Sequence, residues 1–122
     1  MMNRVTCLAA AIVCIFAGSC AAADAPKYDM SKFKTIAEDA GKLVKAADYP
    51  GAQKKILDLE SQWDDGTKEL KAADRKVWNT IDKQLDVAIE ACKAAKDAAS
   101  AEKAQKAIAD FLDKLKLAEQ VK

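Results

Sequence analysis

The stretch DRKVWNTIDKQLDVAIEACKAA, residues 74–95, decides the fold. Its apolar residues Val77, Trp78, Ile81, Leu85, Ala88, Ile89, Cys92 and Ala95 recur at steps of one, three or four, the period of a helix that buries one face. Asp74 precedes them, where a short side chain can accept from the unpaired N–H groups of a first turn. A helix with one long buried stripe needs partners to cover it, so the rest of the chain is read for matching stripes.

Three are found. Met30, Phe33, Ile36, Ala37, Ala40, Leu43, Val44 and Ala47 form an upstream stripe, with Asp29 or Ser31 as its cap and Gly41 expected to mark a close helix contact. Asp48-Tyr49-Pro50-Gly51 ends that helix, since proline restricts the residue before it and can open the next helix. Ile56, Leu59 and Trp63 make the second stripe, and Gly66 is its natural stop. Thr67 to Ala73 reads as a short helical turn or a loop. Downstream, Ser100 is expected to cap a last helix, with Glu102 in its first turn and Ala104, Ile108, Phe111, Leu112 and Leu115 as its stripe. No alternating run suggests a strand.

Four amphipathic helices with short connections cover one another most simply as an all-α, antiparallel up-down-up-down four-helix bundle. Its expected core is Phe33, Ile36, Leu43, Ile56, Leu59, Trp63, Trp78, Ile81, Leu85, Ile89, Phe111, Leu112 and Leu115. Ala37, Ala40, Ala88, Ala95, Ala104 and Ala107 would allow close approach between helices.

The first 23 residues have a different character. Arg4 precedes an apolar run from Val5 to Gly18, and Ala21-Ala22-Ala23 offers a signal-peptidase site, so residues 1–23 read as a cleaved signal peptide. The run is too short for a membrane span. Residues 24–29, with Pro26, are a tether, and 30–122 are the domain. Phe16-Ala17-Gly18-Ser19-Cys20 resembles a bacterial lipobox with Ala17 where leucine is usual, which gives the alternative of a lipoprotein acylated at Cys20 and held at the membrane. The expected location is the bacterial periplasm or the medium.

Cleavage after Ala23 leaves 19 basic and 19 acidic side chains, interspersed. A neutral chain whose only arginine beyond the signal is Arg75 is a poor nucleic-acid binder, and a membrane contact is expected only through Cys20. Cys7, Cys14 and Cys20 lie in the signal region, so Cys92 stays alone and no internal disulfide is expected. It is read as a buried, inert thiol.

Histidine is absent, which removes the commonest general base and metal ligand. No Gly-x-Ser-x-Gly setting, phosphate-binding glycine loop or Cys-x-x-Cys motif occurs. No catalytic residue and no cofactor are expected, and the partner is an unidentified protein or small ligand. The one candidate metal set is Asp82, Asp86 and Glu90, at i, i+4 and i+8, as a weak site for a hard cation such as Ca²⁺, which gives the alternative of a hard-cation or cofactor carrier using this acidic helix face. Read blandly, it is a solvated flank answered by lysines such as Lys83. Asp58, Glu60, Asp64, Asp65 and Glu69 surround Trp63 without calcium-loop spacing. Trp63 and Trp78 are read as core anchors, with a small pocket between helices beside one of them as the alternative.

The pattern Leu59-Glu60-x-x-Trp63-Asp64, then Trp78-x-x-Ile81-Asp82-x-x-Leu85-Asp86 and a final Ala/Leu-rich helix, resembles a group of small exported bacterial helical proteins. That resemblance covers about residues 55–115 and implies a fold without a mechanism. The layout is also similar to the periplasmic four-helix-bundle b-type cytochromes, including Met30 early in the first helix. Those proteins ligate haem iron with a methionine and a histidine near the end of the last helix. This chain lacks that histidine, so the resemblance implies the architecture without haem.

Overall fold

A computed structural model of the protein describes residues 26–122. The expected signal peptide and Cys20 lie outside the described residues. Among the described residues the structure is all-helical, with α1 Ser31–Lys45, α2 Tyr49–Gly66, α3 Lys68–Ala73, α4 Arg75–Ala94 and α5 Ala98–Glu119.

There are thus five helices where four stripes were read. The addition is α3, six residues held by Leu70, which is almost wholly buried. One apolar side chain has no period to read, yet it suffices to pin a single turn against the core.

The helix boundaries follow local hydrogen bonding. Asp48 accepts from Gly51 N–H and Asp74 from Val77 N–H, as their positions before α2 and α4 require. A Cβ on Gly51 would fall 2.4 Å from the Asp48 carboxylate, so the cap favours glycine there. At α1 neither Asp29 nor Ser31 is the cap: that position is Met30, which makes no side-chain cap bond, and Asp29 before it accepts from both the backbone N–H and the hydroxyl of Ser31.

Two expectations about the start of α5 are corrected. The cap of α5 is Asp97, with Ser100 three residues in, each bonding the other's backbone as a capping box. The helix therefore starts earlier and Glu102 lies beyond its first turn. Gly66 is the last residue of α2, where the stop was expected, but without a left-handed conformation; a Cβ there would crowd Phe33 Cζ at 3.2 Å. The left-handed residue is Ala47, with φ of 60°, which ends α1 by sending its own N–H to Val44 and that of Asp48 to Leu43. This is the Schellman arrangement, usually built on glycine.

α1 packs on α2 and α5, and α4 packs on α2 and α5. The stripes meet in one core, where Ala37, Ala40, Ala52, Ala88, Ala104 and Ala118 are fully buried and let the backbones come close. All the expected core residues are buried except Leu43 and Leu112, which are half-buried at the edge.

Candidate functional site

The centre of the core is aromatic. Trp63 is fully buried and meets Phe33 edge-on at 5.5 Å between centroids, Phe111 edge-on at 6.4 Å, and Trp78 in a stacked pair at 6.1 Å. Trp78 donates its indole N–H to Thr67 Oγ1 at 2.8 Å, and Thr67 donates its hydroxyl to the Trp63 carbonyl. The Lys71 ammonium lies 4.3 Å from the Trp78 ring centroid, a cation–π contact that covers the outer face. Both tryptophans are thus anchors, and neither lines the two hollows between α1 and α5 described below.

The Trp63 indole N–H is buried and reaches no acceptor at hydrogen-bond distance. The Asp82 carboxylate on α4 lies toward it. Partial burial raises the pKa of Asp82 above the ordinary 3.8, helped by repulsion from Asp86 and Asp64 and opposed by the Trp63 indole and Lys71. Asp64 of α2 is thus near enough to Asp82 to repel it, as is Asp86 one turn along α4. Glu90 is not brought to them; it is exposed and pairs with Lys93 at 3.7 Å. Among the described residues no group of three or more His, Cys, Asp or Glu is placed to hold a metal ion.

Cys92 is buried and its thiol is pushed up to about 11 by desolvation, so it carries little thiolate at neutral pH.

Concavity lies elsewhere, between α1 and α5. A groove of about 590 Å³ has Gly41, Ile108, Ala109 and Leu112 as its apolar floor. A second hollow of about 320 Å³ continues it past Ala109 and Leu112 toward Lys34 and Lys116. Its α1 bank carries Lys34, Glu38, Lys42 and Lys45, and its α5 bank Glu102, Lys106, Asp113 and Lys116. Lys34 is tied to Glu119, Lys42 reaches Asp39 at 4.0 Å, and Lys106 and Lys116 pair along α5 with Asp110 and Asp113. Among the described residues no carboxylate lies within ion-pair distance of Lys45.

The sequence holds one signal for this groove, the glycine within α1. Gly41 faces α5, but a Cβ there would meet only Ile108 Cγ2, at an ordinary 3.8 Å. Helix packing does not require the glycine; its effect is to lower one bank of the groove. Leu112, assigned to the core from its stripe, is half-buried because it forms part of this floor.

No described helix is long and apolar enough to cross a membrane. Set against protein-family models, curated proteins and solved structures, the chain matches none of them.

Proposed function

We propose that this is an exported, non-catalytic interaction module whose binding site is the α1/α5 groove. The observation that carries the reading is the groove itself, a concavity with an apolar floor and a polar rim, of a size in the usual range for binding sites. Grooves between helices are where bundles commonly bind.

The scaffold in this reading is an antiparallel up-down-up-down four-helix bundle of α1, α2, α4 and α5, with α3 as a structured connection. The opposed pairing of Phe33 with Trp63, and of Gly41 with Ile108 and Lys34 with Glu119, supports neighbouring helices that run in opposite directions. Export rests on residues 1–23, and membrane attachment through Cys20 is the alternative outcome of the same segment. Mass spectrometry of the mature N-terminus decides between Asp24 and an acylated Cys20. Absence of catalysis is supported by the lack of histidine and by the use of Ser31 and Ser100 in helix-start hydrogen bonds.

The test is photo-crosslinking in intact cells from a reactive residue placed at position 109, in the groove, or at position 57, on the exposed side of α2. Adducts from 109 and none from 57 are expected. Adducts from 57 alone, or from neither position, overturn the groove as the site.

A further inference from the structure

The groove has a shape and a charge pattern that a second helix would match. Its floor is low at Gly41 and Ala109 and apolar at Ile108 and Leu112. Small residues let another backbone come close, and Leu112, half-buried beside the wholly covered Ile108, gives its side chains something to cover. From Lys34 to Lys45 the α1 bank runs eleven residues, about 16 Å, or three helical turns. Charges of both signs along the two banks resemble the flanks of a coiled-coil seam, where such residues set partner and orientation.

The banks differ. Along α1 the sequence is Lys34, Glu38, Lys42, Lys45, which is lysine-rich, while along α5 Glu102 and Asp113 balance Lys106 and Lys116. Lys34 is already held by Glu119, and Lys42 has only a long contact to Asp39, so the available positive charge lies at the Lys42–Lys45 end. A single anionic headgroup would also have to face Glu38 and Glu102. A helix can place acidic residues against Lys42 and Lys45 and leave those two glutamates opposite neutral or basic positions.

We propose that the groove receives an amphipathic helix of a partner protein, about three turns long, with an apolar stripe on the Gly41–Leu112 floor and an acidic flank along α1. This rests on the groove reading above and specifies its occupant.

The experiment uses the purified protein and two synthetic 18-residue helical peptides with the same leucine stripe, one with glutamates along one flank and the other with lysines there. Binding is followed by fluorescence anisotropy, and the site by amide shifts at Gly41, Ala109 and Leu112. The acidic-flank peptide is expected to bind at least tenfold more tightly. Lys42→Glu with Lys45→Glu should reverse that preference, and circular dichroism of this exposed double variant checks that the fold is kept. Equal affinity for both peptides, or a preference that the double variant leaves unchanged, overturns the acidic-flank assignment. Dodecanoate shifting the same amides while neither peptide does makes the occupant a small amphiphile and overturns the helix. A groove-mediated dimer in sedimentation that excludes the peptides overturns it in favour of a second copy. If crosslinks form from position 109 while no peptide binds, the groove reading survives and this inference falls.

Discussion

Thr67 Oγ1 stands between the two tryptophans, accepting from the Trp78 indole N–H at 2.8 Å and donating to the Trp63 carbonyl. It is the one polar side chain in the buried core of the described residues, at 2% exposure. The hydroxyl fixes where α3 turns, because it ties the end of α2 to the start of α4.

Thr67→Val keeps the shape and removes both bonds. The Trp78 N–H is then a buried donor without a partner, a loss of about 1–3 kcal/mol. A clearly lower melting temperature is expected in thermal denaturation. Trp78→Phe, which removes the donor, should lessen the penalty of the valine in a double-mutant cycle. Strictly additive effects would show that the hydrogen bond contributes nothing beyond packing.

Ala47 gives the opposite sign. A residue with a Cβ in the left-handed region is disfavoured by roughly 1–2 kcal/mol, and here it is exposed, with nothing visible in the structure to gain from the methyl group. Ala47→Gly should raise stability, although the greater freedom of glycine in the unfolded chain offsets part of the gain. Chemical denaturation should show a higher midpoint at unchanged slope; a lower midpoint would mean that α1 does not end in this way.

The stripe in residues 74–95 gave the position of α4 and most of its buried face because eight apolar residues share one period. The same reasoning leaves α3 open between a helical turn and a loop, since its only buried hydrophobic residue is Leu70, and misplaces the cap of α5 because Asp97 and Ser100 are both good capping residues three positions apart. Asp64 could not be joined to Asp82 and Asp86 from spacing, since that meeting depends on how α2 and α4 pack. The groove was less legible still. Two of its floor residues, Ile108 and Leu112, lie on the α5 stripe that points to the core, and only the packing of α1 on α5 leaves Leu112 half uncovered.

Asp82 predicts a pH dependence. Its folded-state pKa is raised by burial and by Asp86 and Asp64, so the folded protein holds this proton more readily than the unfolded chain. Its contribution is therefore favourable when pH falls through the raised value toward 3.8, and is lost as pH rises above it. Asp82→Asn should melt higher than the parent at neutral pH, with the difference shrinking as the pH is lowered toward 3.8. A variant that melts lower at pH 7 would show that attraction to Lys71 and the Trp63 N–H outweighs burial and repulsion.

Gly41 separates stability from binding. Glycine within a helix is worse than alanine by about 0.5–1 kcal/mol, and the 3.8 Å clearance to Ile108 accommodates the added methyl without displacement. Gly41→Ala should therefore raise the melting temperature. Gly41→Leu adds the same helix preference and projects its longer side chain over the floor shared with Ile108, Ala109 and Leu112. It should fold at least as stably as the parent while losing most of its affinity for a groove-bound peptide, measured in the same anisotropy titration. A Leu variant that binds as the parent does would place the binding surface away from this groove. An Ala variant that melts lower would mean the glycine is demanded by α1/α5 packing after all.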